Sequence, residues 1–195
     1  MMIEKLNPEY RFSSILNITP GWMRSEGYEA LLLDVDNTLL PRNSAAVPAE
    51  HIAWLQQMRQ QGIAVVLSSN NGGARARQIK EQLQANALDV PLLTWAGKPV
   101  PRAYTKAFRL LEERDEPVTA ERSVRILAAG DQLFTDVLGA HLSGIPAVWL
   151  RPLSQNDFIG TKVLRLLEKQ ISRYLDKKAL LPEENGKSKE SRDGT

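Results

Sequence analysis

Short apolar runs alternate along the chain with longer stretches that have helical periodicity. The runs at 30–33, 63–67, 91–93, 124–129 and 147–150 predict five β-strands. Most of them are apolar at successive positions, which is typical of parallel strands covered by helices on both faces. Amphipathic spacing predicts helices over 48–61, 74–87, 101–113 and 135–143. The alternation predicts an α/β fold, a three-layer, doubly wound parallel sheet of about five strands.

The segments that flank these elements have a different character. Residues 1–29 form an N-terminal arm that we expect to pack on the core, and residues 30–155 form the core itself. The pattern over 156–178 predicts a basic amphipathic helix. Residues 179–195 are polar and contain no aromatic side chain, so this tail is predicted to be disordered.

Composition narrows the possible functions. The chain has 195 residues, of which 43% are hydrophobic and 25% charged, as is typical of one globular domain. A net charge of +2 does not indicate a nucleic-acid partner. The absence of cysteine excludes disulfides and thiolate chemistry. Because we find neither a signal peptide nor an apolar run of about 18 residues, we expect a cytoplasmic protein, with attachment to a membrane surface left open.

Polar residues cluster at the predicted ends of the strands. They are Asp34 and Asp36 after the first strand, Ser69 and Asn70 after the second, Asp131 and Asp136 after the fourth, and Lys98 before the third helix. Ligands of such a sheet bind beyond the carboxyl ends of its strands, so these side chains should converge. Four carboxylates beside a lysine and a Ser-Asn turn predict Mg²⁺ and a phosphoryl group, because hard cations prefer oxygen ligands. The chain has only two histidines, which argues against zinc.

Several of these polar residues also have a simpler explanation. An isolated Asp or Ser at a strand end more often caps a helix or a turn than takes part in catalysis. For Asn37 and Thr38, a capping role and a role in the site both stay open. A shift of one residue in the second strand would bring Ser68 rather than Ser69 to the phosphate.

In chain order, these positions resemble the four motifs of haloacid dehalogenase-like (HAD) phosphatases, which have a Rossmann-like fold. The matching segments are DVDNT at 34–38, Ser69 after IAVVLS, Lys98 in GKP, and GDQLFTD at 130–136. The resemblance implies that Asp34 is the nucleophile and forms an aspartyl-phosphate. It implies that Asp36 is the general acid that protonates the leaving oxygen and then the base that activates water.

The same resemblance implies the ligands of the metal and the phosphate. Mg²⁺ would be held by Asp34, by the backbone carbonyl of Asp36 and by Asp131, with Asp136 beside the ion or bound to it. The phosphate would be bound by Ser69, Asn70 and Lys98, and the lysine would also offset the charge of the nucleophile.

The spacing of the motifs leaves no room for a lid domain. The interval 39–62 holds one helix and little else, and the interval 71–97 holds one helix and one strand. We therefore predict a site without a cap, open to solvent. With the segment LNPEY…ILNITP at 6–20, the chain resembles the YqeG-type subfamily of class IIIA, which includes phosphatidylglycerophosphate phosphatases.

This resemblance implies a Mg²⁺-dependent phosphatase that converts phosphatidylglycerophosphate to phosphatidylglycerol in phospholipid biosynthesis. The alternatives are a capless HAD phosphatase acting on a soluble sugar phosphate, a nucleotide or a phosphoprotein, and a non-catalytic phosphate-binding domain.

A membrane could be a partner of the C-terminal region. Residues 151–178 contain seven basic and three acidic residues, a local net charge of +4, together with a wide apolar face. Peripheral association with anionic lipid is one interpretation, with help from Arg11 and Arg24. The other is that the helix packs its apolar side on the sheet. The sequence indicates no nucleic-acid partner and leaves the oligomeric state open.

Overall fold

A computed structural model of the chain describes residues 4–112, 125–154, 170–171, 173–175 and 186–187. Within these residues, one sheet contains six parallel strands and one short antiparallel strand. The strands are β1 (Tyr10–Phe12), β2 (Ala30–Asp34), β3 (Ala64–Ser68), β4 (Leu92–Leu93), β5 (Ile126–Gly130), β6 (Ala147–Leu150) and β7 (Gly186–Lys187). Their order across the sheet is β4-β3-β2-β5-β6-β1-β7. The chain winds outward from β2 on one side and from β5 on the other, as in a doubly wound fold.

Within residues 4–112 and 125–154, five α-helices connect and cover the strands. They are α1 (Pro20–Ser25), α2 (Ala49–Gln60), α3 (Ala74–Ala85), α4 (Pro101–Glu112) and α5 (Leu138–Leu142). Two 3-10 turns lie at Glu4–Leu6 and Ile15–Asn17, and a π-helical turn at Leu133–Val137 leads directly into α5. The helix predicted over 135–143 therefore begins earlier, and its first turn is wider than an α-helix.

The two faces of the sheet are covered by different elements. On the first face, Leu31 and Leu33 of β2 join a cluster with residues of α2, α3 and the N-terminal arm. On the second face, Leu32 of β2 joins a cluster with residues of α4, the π-helical turn and α5. Alternate side chains of a strand point to opposite faces, so one apolar strand contributes to both clusters. The predicted three-layer α/β fold is confirmed.

The five predicted strands are present, and β1 is an addition that the pattern did not predict. Its register with β6 pairs Tyr10 with Val148 and Phe12 with Leu150. Both of these β1 side chains are buried, and the Trp22 ring packs edge-on against each, at 4.9 Å and 5.0 Å between ring centroids. A strand of three residues is too short for a period of two to be recognised, so only its docking on β6 reveals it.

No cap domain is present among residues 4–112 and 125–154. Between β2 and β3 the chain forms only α2, and between β3 and β4 only α3. The predicted absence of a cap is thus confirmed for these connections. None of the described helices is long and apolar enough to cross a membrane.

The C-terminal predictions fall mostly outside the described residues. Of the predicted helix at 156–178, the structure describes helical residues 170–171 and 173–175. Ile171 packs against the cluster on the second face, and Leu175 is buried, whereas Tyr174 is exposed. In the tail predicted to be disordered, Lys187 pairs with Tyr10 as part of β7. Disorder in the rest of 179–195 stays a prediction.

Candidate active site

The predicted site residues lie where the carboxyl ends of the central strands meet. Asp34 ends β2, Ser69 and Asn70 follow β3, and Asp131 follows β5. The other members are Asp36, Asp136 in the π-helical turn, and Lys98 shortly before α4. Asn70 is exposed, and the other six are buried. This edge of the sheet is where the doubly wound fold places its ligands.

Lys98 joins two of the carboxylates directly. Its Nζ donates to Oδ1 of Asp34 at 2.6 Å and to Oδ1 of Asp136 at 2.7 Å. A third contact, to the carbonyl oxygen of Ser68, is 3.3 Å long. Burial alone would lower the pKa of Lys98, but the charges of Asp136 and Asp34 raise it above its ordinary value. The lysine is therefore a fixed positive charge between these two carboxylates.

Asp34 keeps one oxygen uncommitted. Among the described residues, its Oδ2 is buried and accepts no hydrogen bond. Burial raises the pKa of Asp34 well above its usual range, and the charges of Asp136 and Asp131 add to this, although Lys98 acts in the opposite direction. A buried carboxylate with a free oxygen and two acidic neighbours needs more positive charge than one lysine supplies.

The three carboxylates fit a divalent cation. One oxygen each from Asp34, Asp131 and Asp136 lie within 4.8 Å of one another, and all three residues are buried. Such a set of oxygen donors suits Mg²⁺, which takes a few carboxylates and completes its shell with water and substrate oxygens. Asp34 can therefore offer one carboxylate oxygen to such an ion and keep the other for the reacting group, because among the described residues only its Oδ1 accepts a hydrogen bond. The residues present therefore fit the ion that the sequence predicts.

The π-helical turn positions Asp136. Its Oδ2 accepts the backbone N–H of Gln132 at 3.1 Å, and the Tyr104 hydroxyl donates to its backbone carbonyl at 3.0 Å. A Cβ atom on Gly130 would collide with the Asp136 carboxylate, so the last residue of β5 has to be glycine for this side chain to pack there. These contacts fix the distance between Asp136 and Lys98.

Asp36 has different surroundings. Its Oδ1 pairs with Nη1 of Arg75 at 2.6 Å, and its Oδ2 accepts hydrogen bonds from Ser69 Oγ at 2.8 Å and Asn71 Nδ2 at 2.9 Å. Burial raises the pKa of Asp36, but the hydrogen bonds of Asn71 and Ser69 and the charge of Arg75 outweigh it and lower the pKa. The Asp36 side chain is thus an ionised carboxylate with all its partners supplied by protein.

Ser68, Ser69 and Asn70 each take a separate position. Ser68 is the register partner of Asp34 on the neighbouring strand, whereas Ser69 bonds to Asp36. The side chain of Asn70 forms a two-way pair with the Lys98 backbone: Nδ2 donates to its carbonyl at 3.0 Å, and Oδ1 accepts its N–H at 2.8 Å. Asn70 therefore holds the loop that carries the lysine, and its own backbone remains the part that could contact a phosphate.

Sequence reasoning missed Arg75. This half-buried residue lies in the first turn of α3, and its Nε also donates to the Ser44 carbonyl at 2.7 Å, which ties the loop after β2 to the site. A basic residue near a helix N-terminus is unfavourable, since the helix dipole is positive there. A basic residue in that unfavourable position, six residues after Ser69, was the feature of the sequence that could have identified Arg75 as part of the site.

Comparisons with known proteins show the family of the chain. A family model described as mitochondrial PGP phosphatase matches residues 4–153. Probable phosphatase YqeG of Bacillus subtilis (strain 168) is 29% identical over 171 residues, covering 88% of this chain and 92% of that protein. Phosphatidylglycerophosphatase GEP4, mitochondrial, of Saccharomyces cerevisiae (strain ATCC 204508 / S288c) is 27% identical over 162 residues, covering 77% and 80%.

Among solved structures, a haloacid dehalogenase-like hydrolase from Brucella suis 1330 matches with a TM-score of 0.46 and 16% identity, covering 72% of this chain and 93% of that one. The family match spans most of the chain and includes every residue of the site. The chain belongs to the PGP phosphatase family, and it is a hydrolase of phosphoric monoesters.

Proposed function

We propose that the protein hydrolyses a phosphomonoester through a covalent intermediate on Asp34, with Mg²⁺ as cofactor. One observation carries this proposal. Asp34 is held at Oδ1 by Lys98 and keeps Oδ2 free beside two more buried carboxylates. An oxygen that is oriented but not saturated by donors can act as a nucleophile, whereas a fully hydrogen-bonded carboxylate cannot.

The reaction then takes two displacements at phosphorus. In the first, an Asp34 oxygen bonds to phosphorus, and the ester bond breaks as the leaving oxygen takes a proton. In the second, water attacks phosphorus, gives up a proton, and the bond to Asp34 breaks to release inorganic phosphate. Lys98 stays next to the nucleophile in both steps and offsets the charge of the phosphoryl group. Bound Mg²⁺ would stabilise negative charge on the phosphoryl oxygens.

Asp36 is the proposed source and acceptor of the proton. As it lies in this structure, it is an ionised group paired with Arg75. It is therefore poised to accept a proton from water in the second step. Donation in the first step requires Asp36 to be protonated and its pair with Arg75 to loosen, so Arg75 would control when the acid form is available.

The proposed substrate is phosphatidylglycerophosphate, with phosphatidylglycerol as the product. The description of the matching family and the name of the yeast relative support this choice. The absence of a cap among the described residues is compatible with a phosphate presented at a surface, because no lid has to close over the whole substrate.

Phosphate release from a substrate panel tests the proposal. The panel contains phosphatidylglycerophosphate in detergent micelles, a sugar phosphate, a nucleotide and a phosphopeptide, each with Mg²⁺ and with chelator. We expect the lipid to have the highest kcat/KM and chelator to abolish turnover. Preference for a soluble ester would overturn the substrate, and inactivity of wild type and Asp34→Asn alike on every ester would indicate a phosphate-binding domain.

Contact with the membrane surface is a separate proposal. The basic residues of 151–178 could attract anionic lipid, but Ile171 and Leu175 already face the protein core. Part of the apolar face is therefore used internally. Co-sedimentation with phosphatidylglycerol vesicles at low and high salt tests the idea, and a lack of salt-sensitive binding would contradict it.

A further inference from the structure

A cavity lies at the same edge of the sheet as the acidic site. It has a volume of about 190 Å³ and is lined by Arg11, Phe12, Trp149, Leu150, Arg151 and Pro152. These residues come from β1 and β6 and from the two positions that follow β6. We call this cavity the Arg11–Arg151 pocket. It would hold a group the size of a phosphate but not a whole lipid.

The register of the strands aligns this pocket with the nucleophile. Leu33 pairs with Ala129, so the next pair is Asp34 with Gly130; Gly130 pairs with Trp149, and Trp149 with Arg11. Residues paired in this way point to the same face of a parallel sheet. Three strand spacings of about 4.8 Å separate Asp34 from Arg11, or roughly 14 Å between their backbones.

Direct contacts connect the pocket wall to the acidic site. The Trp149 indole N–H donates to the backbone carbonyl of Asp131 at 3.1 Å. The Arg11 guanidinium lies over the Trp149 ring, 5.1 Å from its centroid, which restricts where the charge can go. A backbone bond from Arg151 to the Phe12 carbonyl, 3.1 Å long, brings the second arginine to the same place.

We propose that the Arg11–Arg151 pocket binds a second phosphate group of the substrate while the first reacts at Asp34. The ligand class is a phosphomonoester that carries another phosphate or phosphodiester about three carbons away. Arginine suits such an anion because a guanidinium group can offer paired donors to phosphate oxygens. The inference rests on the proposed function and deepens it, since it says how that site would select its substrate.

The lengths agree with this assignment. A three-carbon bridge with its two ester oxygens places two phosphorus atoms up to roughly 7 Å apart, as six bonds of about 1.5 Å follow a zigzag. The side chains of Asp34 and Arg11 can span the rest of the roughly 14 Å between their backbones. A substrate with only one phosphate would leave the pocket unused.

Four substrates distinguish an effect of the second phosphate from an effect of the lipid chains. Phosphatidylglycerophosphate and glycerol 1,3-bisphosphate carry a second phosphate, while phosphatidic acid and glycerol 3-phosphate do not. For the double variant Arg11→Gln/Arg151→Gln we expect KM to rise roughly tenfold or more for the first two and to stay unchanged for the others. The matched control is Arg77→Gln/Arg109→Gln, which removes the same charge from exposed positions on α3 and α4.

The possible outcomes decide the inference. An equal rise in KM for all four substrates, a rise for the two lipids only, or no rise at all would each overturn it. Calorimetric titration of Asp34→Asn protein with the two glycerol phosphates decides it independently of turnover: the bisphosphate should bind more tightly, and the double variant should remove the difference. Inactivity of the wild type on all four substrates would overturn the proposed function, while the titration would still judge the pocket.

Discussion

Asp34 and Asp36 are two residues apart, yet their carboxylates have opposite surroundings. Asp34 has one oxygen on Lys98 and one without a hydrogen bond among the described residues, and its pKa is raised. Asp36 accepts from Arg75, Ser69 and Asn71, and its pKa is lowered. Burial raises the pKa of both carboxyls. At Asp34 the charges of two acidic neighbours add to this effect, whereas at Asp36 the hydrogen-bond donors and the charge of Arg75 outweigh it.

The two carboxylates are therefore suited to different chemical roles. A nucleophile or metal ligand needs a lone pair that no protein donor occupies, and Asp34 has one. A group that exchanges protons needs a partner that sets its protonation state, and Arg75 is such a partner for Asp36. The comparison therefore predicts that substitutions at the two positions have different consequences.

Replacing the nucleophile should have the largest effect. Asp34→Asn keeps the shape but lacks the attacking oxyanion, so we expect kcat to fall by about 10⁴-fold or more. Steady-state phosphate release measures this, with Asp89→Asn as an exposed control that changes the charge equally. Retention of a tenth of the wild-type rate would assign the nucleophile elsewhere.

Removing the proton donor should cost less and depend on the substrate. For Asp36→Asn we expect a loss of about 10²–10⁴-fold with an alkyl phosphate. The rate of the phosphorylation step should fall less with p-nitrophenyl phosphate, because its leaving group needs little protonation. Pre-steady-state release of nitrophenol distinguishes the two substrates. An equal loss with both would mean that Asp36 acts by holding Arg75 and Ser69 in place.

Crowding the carboxylates should weaken the metal site. In Gly130→Ala, the new methyl group would displace Asp136, and we expect the Mg²⁺ concentration for half-activation to rise about 10–100-fold. Gly21→Ala is the matched control, because a Cβ there would lie at an ordinary 3.9 Å from Thr19 Oγ1. Unchanged activation in Gly130→Ala would remove Asp136 from the metal site.

Loss of Arg75 should shift the pH dependence more than the maximum rate. Without its charge the pKa of Asp36 rises, so the acid form persists to higher pH. We expect the alkaline limb of kcat/KM to move to higher pH in Arg75→Ala, with the optimum rate changed by less than about tenfold. Arg77→Ala, exposed on the same helix, should leave the profile unchanged. A shift to lower pH would contradict this role.

The smallest expected effect concerns the stability of the fold alone. It arises at the pair of His141 and Glu9, whose pKa values are also shifted in opposite directions. His141 Nε2 lies 2.9 Å from the Glu9 carboxylate and Nδ1 lies 2.7 Å from the Lys5 carbonyl, so only the imidazolium donates to both. Burial lowers the pKa of His141, but the Glu9 contact outweighs it and raises the pKa above 6.5. Burial raises the pKa of Glu9, but His141 and the Ala147 N–H lower it below 4.5.

The sign of each shift defines the pH range. The contribution of His141 is complete below about pH 6.5 and is lost as the pH rises through its raised pKa. That of Glu9 is present above about pH 4.5 and is lost as the pH falls through its lowered pKa. Urea unfolding of wild type and His141→Gln should therefore differ most between these values, by less than about 1 kcal/mol because solvent reaches Glu9. A larger difference at pH 9 would contradict the pair.

The strand ends were predictable because local order along the chain defines them. The apolar run that ends at Asp34 can be recognised without any knowledge of distant contacts, and so can the run that forms the neighbouring strand β3. Parallel strands then bring their carboxyl ends to the same edge of the sheet. The same reasoning located Asp131 and Lys98. It could not show that Asn70 grips the Lys98 backbone, because that bond crosses 28 positions in the chain.

The sequence by itself determined the five core strands, the helices between them, and the acidic residues and the lysine at one edge of the sheet, since periodicity and strand ends are local properties. Only the tertiary structure decided which donors each carboxylate meets. Arg75 reaches Asp36 across 39 positions, and Arg11 reaches Trp149 through the docking of β1 on β6. Donor placement depends on how distant elements pack, and no local pattern records it.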